Sequence, residues 1–252
     1  MRGLQWFNAL SAGATPVEGL SASLKIADGE LGRFIAVVTD AQNRFPRARN
    51  GEVGLLEGWG LAKAVDEAIA RGDKRPIIAI VDVPSQAYGR REEALGIHQA
   101  LAAAADSYAR ARLAGHPVIA LLVGKAMSGA FLAHGYQANR LIALRDPGVM
   151  VHAMGKASAA RVTLRSVEEL EALAASVPPM AYDIDSYASL GLLWETLSVS
   201  QIEQPTPDDV ARVRECLVSA IKDIASTDLS GRLGATNRAA SSHVRQLLRA
   251  QW

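Results

Sequence analysis

Two stretches of the chain repeat one design, and that repetition limits the available folds more than any other feature. RPIIAIVDVPS (residues 75–85) and HPVIALLVGKA (116–126) each begin with a basic residue and a proline, run through an apolar segment and end in small residues. Pro76 and Pro117 lie 41 positions apart. A helical pattern follows each, from Glu93 to Leu113 after the first and from Ala130 onward after the second. A continuously apolar strand has both faces buried, as in a sheet flanked by helices. The repeated unit is strand, loop, helix. It predicts an α/β fold, built as one sheet or as stacked turns of a superhelix.

The rest of the chain fits that frame. RFIAVVT (33–39) reads as a β-branched strand, RLIALRD (140–146) as another and VMVHAM (149–154) as a further one. Residues 40–51 are polar and basic, a loop by composition. Between Val53 and Ala70, Leu56, Leu61, Val65 and Ile69 recur at helical spacing, with Gly72 as the stop. Ser166 with Glu169 three residues later marks a capping box, and Thr206-Pro207 followed by two aspartates marks another helix start. NRAASSHVRQLLRAQW, at the end, is a basic amphipathic helix expected to pack on its own domain or on a partner subunit. Residues 1–252 read as one domain, with a helical C-terminal part from about 206 to 252.

Composition excludes several functions. A net charge of +1 gives no bulk attraction to nucleic acid or an anionic membrane, and aromatics at 5% are too few for base-stacking platforms. Cys216 is the only cysteine, so no internal disulfide forms; it is expected to pack within a helix. The apolar part of MRGLQWFNALSAGA is short and broken by Asn8, unlike a signal peptide. No run reaches the roughly 18 apolar residues of a membrane span. A cytoplasmic location is expected.

The chemistry is expected at the strand-to-helix junction in VIALLVGKAMSGAFLAHG (118–135). A phosphate-binding loop fails, because Gly124-Lys125 is followed by Ala126 and no glycine stands five residues before Gly124. A serine hydrolase would use Ser128, with Asp183, Asp185 and His243 following in hydrolase order. Four residues separate Val123 from Ser128, however, whereas an elbow serine follows its strand directly. The third reading is a backbone oxyanion hole, with the free N–H groups of Ser128, Gly129 and Ala130 at a helix N-terminus. A second donor loop would be the echoing Pro84-Ser85-Gln86-Ala87.

PIIAIVDVPSQAYGRREEALGI, GKAMSGAFLAHG and DPGVMVHAMGKASAARV together resemble the acyl-CoA carboxyltransferases, whose loops read Pro-Gly-Ala and Ser-Gly-Gly-Ala. The likeness covers about residues 33 to 162 and implies the ββα superhelix of the crotonase superfamily. With AYDIDSYASLG added, the chain is similar to the γ subunits of biotin-independent malonate decarboxylases over most of its length. It departs from the carboxyltransferase pattern by one glycine in each loop, and by His152-Ala153-Met154-Gly155 where that family has Ser-Pro-Glu-Gly.

The resemblance implies a carbon–carbon lyase that converts a malonyl thioester on an acyl-carrier-protein subunit to the acetyl thioester through an enolate. It implies no metal and no cofactor bound covalently by this chain; a phosphopantetheine-type group on the carrier presents the substrate. It also implies a homologous β subunit, with the active site shared between the two. Gly129 and Ala130 are the expected donors of one hole, Gln86 and Ala87 of the other. Ser128, Tyr88 and His152 are expected to contact substrate. A non-catalytic scaffold subunit is the alternative that keeps the fold.

Overall fold

The computed structural model describes residues 1–224, 229, 232 and 234–252. A single eight-stranded sheet runs through it. β1 (Thr15–Val17), β2 (Leu24–Gly29) and β3 (Gly32–Val37) form an antiparallel edge. From β3 the sheet continues in parallel through β4 (Ile77–Val83), β5 (Val118–Met127), β6 (Arg140–Leu144) and β8 (Glu195–Leu197). β7 (Met150–His152) pairs with the far end of β5.

The two proline-led segments are β4 and β5, and they lie side by side with Ile77 opposite Val118. Their prolines have a structural use. A proline has no N–H to give a ladder, but its carbonyl still accepts. Arg33 N–H donates to Pro76 O at 2.8 Å and Ile77 N–H to Pro117 O at 2.8 Å, so each proline starts its neighbour's ladder. Every residue from Val118 to Val123 is buried, as an all-apolar strand in a covered sheet must be.

Helices cover the sheet. α1 (Arg2–Leu10) buries Trp6, Phe7 and Leu10, and Trp6 Nε1–H donates to Ile202 O at 2.9 Å. α2 (Leu55–Ala70) follows the polar loop. The long helix expected from Glu93 is two helices, α3 (Arg90–Ala94) and α4 (Ile97–Leu113), because Gly96 at φ +81° breaks the helical path. A residue with a Cβ adopts that conformation only at a cost. α5 (Ser128–Ala133) begins two residues before the expected Ala130 and is only six residues long.

Beyond the sheet, α6 (Lys156–Thr163) and α7 (Val167–Ala174) enclose a small cluster of Ala159, Ala160 and Leu170, while α8 (Ile184–Ser189) buries Ile184 and Tyr187 in the main core. The Ser166/Glu169 capping box is formed, with Glu169 N–H donating to Ser166 Oγ at 3.1 Å and Ser166 N–H to Glu169 Oε2 at 2.7 Å. α9 (Pro207–Asp223) starts at Thr206 and buries Val213, Leu217 and Ala220. Cys216 is half-buried on α9, where burial pushes its thiol up to about 11, so it is not a thiolate at neutral pH.

α10 (Ala239–Gln251) has no buried residue. The expectation that this helix packs on its own domain is therefore not met among the described residues, where Val244, Leu247 and Leu248 stay exposed. α1, β1, β2 and β8 were not anticipated. Their signals are weak because β1 and β8 have three residues each, and β2 mixes buried and half-exposed positions.

Candidate active site

The loops after β4 and β5 meet at the ends of these neighbouring strands. The register slips between Val81 and Val83, near the point where β5 carries Gly124. A Cβ at Gly124 would collide with the Asp82 carboxylate, whose oxygens accept from Lys125 N–H at 3.1 Å and Gly3 N–H at 3.0 Å. Gly124 thus serves the close approach of strand and side chain, not substrate access.

β5 does not stop at Val123. It runs on to Met127, held there by β7, with Met127 opposite His152. Ser128 therefore follows its strand directly, at φ +62°, which removes the spacing objection to an elbow serine. Other geometry decides against a hydrolase. Ser128 Oγ donates to Ala153 O at 2.9 Å, not to a base. Asp183 caps α8 by accepting from Ser186 N–H at 2.8 Å, Asp185 pairs with Arg145 at 3.1 Å, and His243 is exposed on α10. No triad is assembled from these residues.

The left-handed turn at Ser128 aims the next N–H at the neighbouring loop. Gly129 N–H donates to Gln86 Oε1 at 2.9 Å, so the two loops singled out in the sequence are joined by one hydrogen bond. The Gln86 N–H has no hydrogen-bond partner among the described residues. Ala130 lies in the first turn of α5, where N–H groups have no intrahelical partner. Ala87 differs: its N–H donates to Val53 O at 2.9 Å and the residue is buried, so it is not a free donor. Because α5 is so short, its macrodipole adds little; directed N–H groups are what the junction offers.

Ser128, Gly129, Phe131, His152, Tyr187 and Leu190 line one cavity of about 450 Å³. His152 stacks on Tyr182, ring centroids 3.9 Å apart and planes 11° from parallel. Its Nδ1 is taken by the Met154 backbone, 3.0 Å from O and 3.2 Å from N, and Tyr182 Oη–H donates to the same carbonyl at 2.8 Å. Burial lowers the His152 pKa, which favours the neutral ring, and among the described residues Nδ1 is the ring nitrogen that is hydrogen-bonded. Tyr88 is not brought to this cavity; it is 53% exposed on the surface. Tyr182 and Tyr187 were missed as individual residues. Only the Ile184–Tyr187 spacing on α8 hints that Tyr187 faces inward.

The sequence matches the malonate decarboxylase gamma subunit family, MdcE, over residues 48–252. The chain belongs to that family. It is 35% identical over 207 residues to the malonyl-S-ACP:biotin-protein carboxyltransferase MADD of Malonomonas rubra, covering 78% of this chain and 68% of that one. It is similar to a chain of the Pseudomonas malonate decarboxylase hetero-tetramer solved with coenzyme A, at 72% identity, TM-score 0.94 and coverage of 100% and 99%. The Pseudomonas MdcD-MdcE hetero-dimer matches at 69% identity and TM-score 0.91, again over 100% and 99%. More distant carboxyltransferases, such as transcarboxylase 12S at 21% identity and TM-score 0.60, share the crotonase-like fold. As a malonate decarboxylase subunit, the chain serves a carbon–carbon lyase. Among its described residues, no helix is long and apolar enough to cross a membrane.

Proposed function

We propose that this chain supplies one half of an active site shared with a homologous β subunit. There a malonyl thioester, presented by an acyl-carrier-protein subunit on a phosphopantetheine-type group, is decarboxylated to the acetyl thioester. The MdcD-MdcE hetero-dimer and the malonyl-S-ACP carboxyltransferase among its relatives support that partner and that substrate.

The observation that carries the reading is the hydrogen bond from Gly129 N–H to Gln86 Oε1. Gly129 lines the cavity and its N–H holds an amide oxygen, whose place a thioester oxygen would take. Decarboxylation breaks the bond between the carboxylate carbon and C2. Its electron pair moves through C2 onto the thioester oxygen as CO₂ leaves, and C2 then takes a proton. Fixed N–H donors stabilise that oxygen without reorganising. Gly129 and Ala130 are assigned to one hole and the Gln86 N–H to the other, while Ser128 and His152 line the substrate cavity. His152, which lines that cavity, is assigned the proton exchange through Nε2.

The test is CO₂ release from a malonyl thioester by this chain with and without the β subunit. Activity is expected only with the partner. In the assembled complex, Gly129→Pro should lower kcat roughly 100-fold, the usual scale for losing one such donor. Unchanged activity in that variant would leave this chain as a scaffold. Thioester hydrolysis abolished by Ser128→Ala would restore the elbow reading.

A further inference from the structure

Tyr182 is not a wall of the cavity that Ser128, Gly129 and His152 line, yet it holds the histidine in two ways. Its ring lies flat against the imidazole, with centroids 3.9 Å apart and planes 11° from parallel. Its hydroxyl donates to Met154 O at 2.8 Å, two residues beyond His152. The chain around Tyr182 is itself fastened to β7, the strand that ends in His152. Val151 N–H donates to Tyr182 O at 3.0 Å, and Met150 bridges to Asp183 in antiparallel sense. Lys156 Nζ, paired with Glu171 at 2.6 Å, lies 5.5 Å from the centre of the Tyr182 ring. Tyr182 is therefore tied to β7 by its backbone and to α6 and α7 by its ring.

Met154 presents two backbone groups to His152 Nδ1, its carbonyl oxygen at 3.0 Å and its nitrogen at 3.2 Å. They serve different states of the ring. An Nδ1 that carries a proton donates to the carbonyl, and an Nδ1 without one accepts from the N–H. Nδ1 thus keeps a partner in every protonation state, as long as the Met154 peptide stays in place. A carbonyl has two lone pairs, so Met154 O can accept from the Tyr182 hydroxyl and from Nδ1 together. One tyrosine side chain fixes both the plane of the imidazole and the peptide that binds it. Proton exchange depends on such fixing, because a misplacement of about 1 Å can slow a reaction by roughly 100-fold.

We infer that Tyr182 is a positioning residue for the proton exchange at His152, holding the imidazole plane with its ring and the Met154 carbonyl with its hydroxyl. The inference rests on the proposed role of His152 and extends the site to a residue outside the cavity. A double-mutant cycle tests it in the complex assembled with the β subunit, reading kcat and KM for turnover of a malonyl thioester to the acetyl thioester. Tyr182→Phe keeps the stacked ring and loses the hydroxyl bond, whereas Tyr182→Leu loses both. Each is made alone and together with His152→Gln.

His152→Gln is expected to lower kcat roughly 100-fold, the lower end for losing a proton-transfer group. Tyr182→Leu should lower kcat roughly tenfold and Tyr182→Phe by less, with KM in both within about twofold of wild type. In the His152→Gln background neither tyrosine substitution should lower kcat further, because its effect passes through the histidine. Equal losses in both backgrounds would overturn the inference, by showing that Tyr182 supports the fold alone. Wild-type kcat in both tyrosine variants beside an impaired His152→Gln would overturn it too, leaving the role of His152 intact. Full turnover in His152→Gln would overturn that role and this inference together. If Tyr182→Leu does not assemble with the β subunit, the Tyr182→Phe cycle decides by the same comparison.

Discussion

His134 shows how one residue near the site belongs to the fold instead. It is fully buried just past α5, with Nε2 3.0 Å from Ile80 O and Nδ1 3.1 Å from Tyr108 Oη. A carbonyl only accepts, so Nε2 carries the proton and Nδ1 accepts from the tyrosine. Burial drives the His134 pKa down to about 4, and the folded ring is neutral at pH 7. In the unfolded chain the ring protonates near 6.5, so acidification favours unfolding. The stability tied to His134 is complete above about pH 6.5 and is lost as pH falls toward 4, at up to about 1.4 kcal/mol per pH unit. Chemical denaturation of wild type and His134→Gln at several pH values checks this. The wild-type advantage should shrink across that window, and a constant advantage would sink the argument.

At the scale of elements, the start of α9 concentrates polar chemistry in one carboxylate. Asp209 accepts from Ser200 N–H at 2.7 Å, Gln201 N–H at 3.1 Å, Thr206 N–H at 3.1 Å and the hydroxyls of Ser200 and Thr206 at 2.9 Å each. Its own N–H donates back to Thr206 Oγ1 at 3.2 Å. Burial alone would raise the Asp209 pKa, but these hydrogen bonds favour the charged form and hold it well below the usual aspartate range. Its contribution is therefore present above the unfolded value of 3.8 and is lost as pH falls below it. Thr206→Ala should cost about 1 kcal/mol at pH 7. In Asp209→Asn, acid unfolding monitored below pH 4 should depend less steeply on pH than in the wild type. Helix start signals of this kind were legible because a cap acts within three residues. The interruption at Gly96 was harder to see, since an isolated glycine is tolerated in many helices.

At the scale of the whole molecule, the buried core and the C-terminal helix are separable. The core spans the sheet, α1 and α9, whereas α10 places Val244, Leu247 and Leu248 at the surface and buries nothing. Tolerance of truncation follows burial. Deleting residues 239–252 should shift the thermal midpoint of the isolated chain by less than about 3 °C, on the scale of 1 kcal/mol for a domain of this size. A fall of 10 °C or more in differential scanning calorimetry would place α10 within the folding unit.

The sequence by itself determined the α/β class, the pairing of two similar strands, the capped helices and the two loops that carry the proposed donors. Those features depend on residues close together in the chain: apolar runs, proline positions and caps. Its resemblance to the malonate decarboxylase γ subunits also indicated the family. Only the tertiary structure decided that Gly124 accommodates Asp82, and that Ala87 N–H is committed to Val53. It alone turned Gln86 Oε1 onto Gly129 N–H and brought Tyr187 to the same cavity from the far side. Each of these is a contact between segments distant in sequence. Local pattern carries no record of such contacts, because the partner of a hydrogen-bonding group is chosen only when the sheet and its covering helices close around it.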